Sequence, residues 1–227
     1  MHKLLILKHM YFESREQAGQ KIAALLVEKY RYEDCVVVAL NDGAVLVGEQ
    51  IAKSLHCLLT MLLIEEIEVP GEGVSFGGVS QSGSLTYNGD LSEGELEDYV
   101  GEYHGYLDQE KQQAFEKINQ LLGDGGLIKS EMLRDRVVIL VSDAIDKGAS
   151  LDVAADFLKH IRIKKLIIST PIATVGAVDK MHVLADELYI LDTKANFMGV
   201  DHYYDKNILP SHEDTIAKIS QIVLNWH

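Results

Sequence analysis

"VILVSDAIDKGASLDVAADFL" runs from Val138 to Leu158. An apolar run enters a cluster of Ser, Asp, Lys and Gly, and apolar residues at helical spacing follow, so the order is strand, polar loop, helix. In open parallel sheets, a loop at the carboxyl end of a strand that feeds a helix N-terminus is a common seat for phosphate, because free backbone N–H groups point out of it. Gly148 lets the backbone approach an anion, Ser150 is placed as N-cap with a hydroxyl to offer, and Lys147 is the loop's base. An ordinary βα turn with a cap would look the same. Asp143 and Asp146 add negative charge that a phosphate seat does not ask for.

Outward from this stretch, strands alternate with helices. Ala18 to Tyr30 repeats apolar residues every three or four positions, as an amphipathic helix does. Strands are predicted at Cys35 to Leu40 and Leu58 to Ile67, with a helix at Ala44 to Leu55 between them, which makes one right-handed βαβ unit. Further strands fall at Arg136 to Val141, Lys165 to Thr170 and Glu187 to Leu191. Helices fall at Ser150 to Ile161, near Thr174 to Leu184, and at Glu213 to Trp226. The opening "MHKLLILKHM" reads as a first strand rather than a signal peptide, since its apolar stretch is short and lacks a small-residue cleavage site.

The middle of the chain breaks this rhythm. Val69 to Asp90 is rich in Gly and Ser and reads as a flexible hairpin at the sheet edge, turning at "SQSG". "SEGE" (Ser92 to Glu95) is a capping box that opens a long helix through Leu122, with Leu96, Val100, Tyr103, Leu107, Ala114, Ile118 and Leu121 along one stripe. Some 30 residues of helix would reach about 45 Å, so a break near Gly101 and Gly105 is expected. The stripe exceeds what one sheet face covers, which predicts a homodimer.

Composition excludes several function classes. At 227 residues and a formal charge of −14, without a basic run, the chain does not suit a nucleic-acid surface. No apolar run approaches the roughly 20 residues of a membrane span. Cys35 and Cys57, each in apolar sequence, read as buried thiols of a reducing cytoplasm. "GDGGLIKS" departs from a P-loop because Ile128 precedes Lys129 where a Gly is required, and "GEGVSFGG" lacks the lysine strand that follows a nucleotide-covering loop. His104, His160, His182 and His202 stand singly and read as surface or core residues.

The strand and loop "VVILVSDAIDKGAS" resemble the signature of type I phosphoribosyltransferases, in which an apolar strand meets two acids and then a Thr-Gly-x-Thr phosphate loop. "FESREQAGQKIAALL", "VVVALNDGAVLVGEQIAKSL", "FGGVSQSGSLTYN", "STPIA" and "NFMGVDHYYDK" are similar to successive blocks of a bacterial and archaeal group of that family, in the family's order. The resemblance implies one α/β domain over residues 1–227, with an open, mainly parallel sheet flanked by helices. It further implies a lid hairpin at about 69–90, and a hood at about 192–227 together with the N-terminal segment.

Carried over residue by residue, the resemblance puts ribose at Ser142 and Asp143 and the phosphate loop at Asp146, Lys147, Gly148, Ala149 and Ser150. Magnesium pyrophosphate falls at Asn41, Asp42 and Gly43, and a base falls over Phe197. Asp143 and Asp146 take the catalytic positions, and Asp143 also the metal position. The implied ligands are phosphoribosyl pyrophosphate or a nucleotide monophosphate, with Mg2+ as cofactor.

The chain also departs from the family. Ser142 replaces an acid, Lys147 a Thr, and Asp42 a base, while Glu65 and Glu66 stand where relatives are basic. A unit charge about 5 Å from a phosphate at an effective dielectric near 20 is worth roughly 3 kcal/mol, so inverting one base shifts binding by roughly 6 kcal/mol before screening. Two functions therefore stand side by side: transfer of ribose 5-phosphate to a base or amine, and a binding or regulatory protein that kept the fold and one phosphate site. A phosphohydrolase built on the acids is a third, weaker reading.

Overall fold

Ser14 opens the described chain's first helix: its hydroxyl accepts from the Gln17 N–H at 3.3 Å, satisfying a donor that the helix itself leaves free. The computed structural model describes residues 12–123 and 128–224. The expected first strand in "MHKLLILKHM" and most of "GDGG" lie outside them. In chain order come α1 (Arg15–Tyr30), β1 (Cys35–Ala39), α2 (Asp42–Leu55), β2 (Leu58–Met61), β3 (Ile64–Val69), β4 (Val74–Ser80), β5 (Leu85–Tyr87) and α3 (Glu93–Gly123). Then follow α4 (Ser130–Leu133), β6 (Val137–Val141), α5 (Ala149–Leu158), β7 (Lys165–Thr174), α6 (Val175–Leu184), β8 (Glu187–Lys194), a 3-10 turn (Val200–Tyr203) and α7 (His212–Leu224).

β1 and β6 are buried at every position, as strands covered on both faces must be. They pair in parallel at the centre of a five-stranded sheet of order β2-β1-β6-β7-β8, all parallel. Alternate residues feed two cores. Val37, Ile139 and Val141 meet α1, α2 and α7 through Ile22, Leu26, Val47, Ile51 and Ile219 on one face. Val36, Val38, Val138 and Leu140 meet α5 and α6 through Leu151, Ala154, Ala177 and Met181 on the other. From β1 the chain winds outward through α2 to β2, and from β6 it winds the opposite way through α5 to β7. The two central strands therefore end on a crevice.

Leu58 to Ile67 is not one strand. It breaks after Met61, because apolar residues through Leu63 suit a strand covered on both faces, while "IEEIEV" alternates and suits one covered face. β3 leaves the main sheet and joins β4 and β5 in a separate antiparallel sheet, so the predicted hairpin is real but does not extend the main sheet's edge. α3 lies on this small sheet. Leu107, Ala114 and Ile118 bury against Ile67, Val69, Phe76 and Val79, so part of the stripe is covered within the chain, while Val100 stays exposed. The capping box is formed, with Ser92 Oγ accepting from the Glu95 N–H and Glu95 accepting from the Ser92 N–H. The helix breaks at Tyr103, between the two glycines. Among the described residues no helix is long and apolar enough to cross a membrane.

Candidate functional site

The crevice between β1 and β6 is built from two helix starts. On the β1 side Asn41 is the N-cap of α2, its Oδ1 accepting from the Ala44 N–H at 2.6 Å, so Asn41, Asp42 and Gly43 form the helix's first turn. Asp42 is met by His212 at the start of α7, with Nδ1 3.3 Å from Oδ1. Nε2 of that ring and Oγ1 of Thr215 are buried and make no hydrogen bond among the described residues.

On the β6 side the N-cap of α5 is Gly148, not Ser150. The chain enters α5 through a left-handed residue with φ +75°, which only glycine adopts freely, so Ser150 falls inside the first turn. Its hydroxyl and N–H both interact with the Glu66 carboxylate, as does the Ser75 hydroxyl. Glu66 is exposed as a residue on β3, but partial desolvation of its carboxyl against the cavity wall outweighs these interactions and holds it above its ordinary range. Lys147 points away from this turn and donates to the Gly73 carbonyl in the β3–β4 turn. Ser142 Oγ donates to the Ala144 carbonyl at 2.7 Å within its own loop. Asp146 is exposed, and its carbonyl accepts from Thr174 Oγ1.

Asp143 is the surprise. It is buried, and Arg15 Nε donates to its Oδ2 at 2.7 Å. Nη1 of Arg15 donates to Asn207 Oδ1 at 2.6 Å, Nη2 lies 3.5 Å from Asp201 Oδ1, and the guanidinium carbon lies 4.5 Å from the Tyr204 ring. The Tyr204 hydroxyl donates to the Asp143 carbonyl at 2.6 Å. Burial first, and the Asp143 charge second, push that phenol's ionisation far up. Gly43 belongs to the same cluster, because a Cβ there would collide with the Asp143 carboxylate.

Two adjoining cavities result. A larger one of about 650 Å3 is lined by Arg15, Asp42, Gly43, Asp143 and Asp201, and a smaller one of about 240 Å3 by Glu66, Glu68, Asp146, Lys147, Ser150 and Phe197. Asn41 and Val200 line both. The predicted residues are thus brought together, with Asn41, Asp42, Gly43 and Asp143 on one cavity and Ser142, Asp146, Lys147, Gly148, Ser150 and Phe197 on the other. Ala149 is buried in the first turn of α5.

Sequence reasoning missed Arg15, Asp201, Asn207 and His212. A base at the start of an amphipathic helix carries no mark distinguishing it from a surface residue. The one available signal was its place in the block "FESREQAGQKIAALL".

The phosphoribosyl transferase domain family matches residues 10–205, which is most of the chain. The chain belongs to that family. Two Mycobacterium tuberculosis proteins, from strains CDC 1551 and H37Rv and named as candidate phosphoribosyl transferases, are each 25% identical over 213 residues. That alignment covers 91% of this chain and 46% of each relative, so the chain spans under half the length of these phosphoribosyl transferase relatives. The crystal structure of TT1426 from Thermus thermophilus superposes with a TM-score of 0.71 at 22% identity, covering 96% of this chain and 99% of that one. The parallel sheet flanked by helices is accordingly the type I phosphoribosyltransferase fold.

Proposed function

We propose that the crevice binds a phosphorylated ribose donor across its two cavities and passes the ribose 5-phosphate unit to a base or amine. The observation that carries this is the adjacency of the cavities at the ends of β1 and β6, with Asn41 and Val200 common to both. The 5′-phosphate is assigned to the first turn of α5, where Gly148 and Ser150 offer backbone and hydroxyl donors, and the pyrophosphate to the cavity beside Asn41, Asp42 and Gly43. In the transfer the C1′–oxygen bond to pyrophosphate breaks as a nitrogen–C1′ bond forms, and the acceptor nitrogen loses its proton. Asp146, exposed beside the smaller cavity, is the acid assigned to positive charge developing on the ribose. Asp143, tied to Arg15, shapes the loop from beneath.

Magnesium fits this site as a companion of the ligand. Among the described residues no group of three or more His, Cys, Asp or Glu forms a cage, but magnesium characteristically takes one or two carboxylates and completes its shell with phosphates and water. Asp42 on one side and Asp146 or Glu66 on the other supply such carboxylates. When bound, the ion would neutralise charge on the leaving pyrophosphate.

One observation favours a second reading. The smaller cavity has Lys147 as its one base among the described lining residues, and that amine is spent on Gly73 while Glu66, Glu68 and Asp146 face the same space. A protein that holds a nucleotide monophosphate or phosphate without transfer would tolerate this. Mixing the chain with phosphoribosyl pyrophosphate, magnesium and a panel of purines, pyrimidines and amines separates the two. Acceptor-dependent pyrophosphate release supports transfer, binding of a nucleotide monophosphate or phosphate in a parallel titration without such release supports the second reading, and no binding of any of these at millimolar concentration overturns both.

A further inference from the structure

Arg15 is the one base among the described residues lining the larger cavity, where it stands with the acids Asp42, Asp143 and Asp201. Part of its guanidinium is firmly fixed. Nε is held by Asp143 at 2.7 Å, the Tyr204 ring covers the face, and the Tyr204 hydroxyl ties the same loop to that ring. The outer edge is held by the 3-10 turn and the chain segment that follows it. Asn207 takes Nη1 at 2.6 Å, while Asp201 stands 3.5 Å from Nη2. Side-chain exposure separates these partners: 2% for Arg15, 6% for Asp143 and 77% for Asp201. A carboxylate so open to water, at so long a distance, contributes little to stability.

We propose that Arg15 is the cation that receives pyrophosphate in this cavity, and that the Asp201 carboxylate occupies the guanidinium edge which a phosphate oxygen takes when ligand binds. The inference rests on the reading above and names the residue that offsets the acid at Asp42. Arg15 lines the same cavity as the first turn of α2, and Gly43 leaves nothing between that turn and the Arg15–Asp143 pair, since a Cβ there would sit 2.9 Å from Arg15 Nε. A guanidinium offers parallel donors that match a phosphate as they match a carboxylate. An anion already stands on the edge in question, held by one long contact and free to move into solvent. Asp143 is then a positioning residue, which fixes Nε while Asn207 holds Nη1, so that the Nη2 edge beside Asp201 is the one offered to the ligand.

Calorimetric titration of the full chain with inorganic pyrophosphate and magnesium tests this, using the wild type, Asp201→Ala, and the double variant Arg15→Gln with Asp143→Asn. The double variant removes both charges together, so no unpaired buried charge remains to unfold the protein. Asp201→Ala should bind roughly two- to five-fold tighter through loss of a competing exposed ion pair. The double variant, with its circular dichroism and cooperative melting intact, should bind at least about ten-fold more weakly through loss of a charge-assisted contact. Equal affinity in a folded double variant, or unchanged or weaker binding by Asp201→Ala, overturns the proposal. If the double variant does not fold, the exposed Asp201 arm decides alone. A wild type that binds no pyrophosphate overturns the proposal, and one that also binds no ribose 5-phosphate in a parallel titration overturns the functional reading as well, whereas tight pyrophosphate binding indifferent to Arg15 overturns only the assignment of the cation.

Discussion

Arg15 Nε and Asp143 Oδ2 lie 2.7 Å apart with almost no solvent on either side chain, and they join the first helix to the loop after the central strand β6. Burying two charges is costly, and the cost is met only while each has its partner. Arg15→Ala alone should therefore destabilise the fold by about 3–5 kcal/mol, because it strands a buried carboxylate. Replacing both residues by apolar ones of similar size should cost much less. Urea unfolding of the two single variants and the double variant measures the coupling, and additive losses would show that the pair acts as two independent groups.

Glu66 sets the charge of the smaller cavity. Its carboxyl is held up by partial desolvation at the cavity wall, against interactions with Ser75 and Ser150 that favour the charged form, and Glu68, Asp146 and Lys147 are the other charged groups lining that cavity. Protonation removes a negative charge from the place assigned to phosphate, so sulfate, which stays fully ionised in this range, should bind more tightly at pH 5 than at pH 7.5. Glu66→Gln should bind sulfate more tightly at pH 7.5 and show a shallower pH dependence. Titration of both proteins at the two pH values checks the sign.

Gly148 enters α5 at φ +75°, and a Cβ there would press within 2.9 Å of Lys180 Cδ. Gly148→Ala should cost about 1–2 kcal/mol from the left-handed backbone alone. Lys180 bonds Asp152 at 2.7 Å and Asp90 at 2.9 Å, so displacing it should also loosen the start of α5. Thermal melting together with amide exchange of residues 149–152 would register both effects, and an unchanged melting temperature would contradict the strain.

Far from the crevice, Glu187 is held down at about 2 by bonds from Lys165, Lys29 and the Tyr30 hydroxyl, from an ordinary value of 4.5. A carboxyl whose folded value is depressed adds stability that is fully present above its unfolded value and fades as pH falls toward the folded one. Part of the acid destabilisation between about pH 4.5 and about 2 should therefore disappear in Glu187→Gln, and unfolding midpoints across that range give the difference.

The sheet could be read from the sequence because each central strand is a short β-branched run whose residues feed two cores, a pattern with few other solutions. The turn of Leu62 and Leu63 into a second sheet was hidden, since "LLTMLLIEEI" is continuous in β-propensity and only the onset of alternation at Ile64 marks the change. Lys147, Gly148 and Ser150 stood out because a strand end and a Gly-bearing turn are local signals, while Asn41 to Gly43 and Ser142 with Asp143 came from the family resemblance. Arg15, Asp201 and Asn207 were missed, because nothing local distinguishes a base that folds into a crevice from one that faces water. The N-cap of α5 was misplaced for a related reason: hydroxyl chemistry pointed to Ser150, while backbone conformation selected Gly148.

The bonds Arg15 makes to Asp143, Asn207 and Asp201 span 128, 192 and 186 positions. On a ribosome these partners emerge at very different times, and Arg15 waits for Asn207 before its guanidinium is satisfied. Closing loops of this length is entropically slow and comes after the local βα units have formed. Binding competence should thus appear only after Asn207 has emerged, and a chain that stops short of Asp201 would carry an assembled sheet with an unfinished crevice.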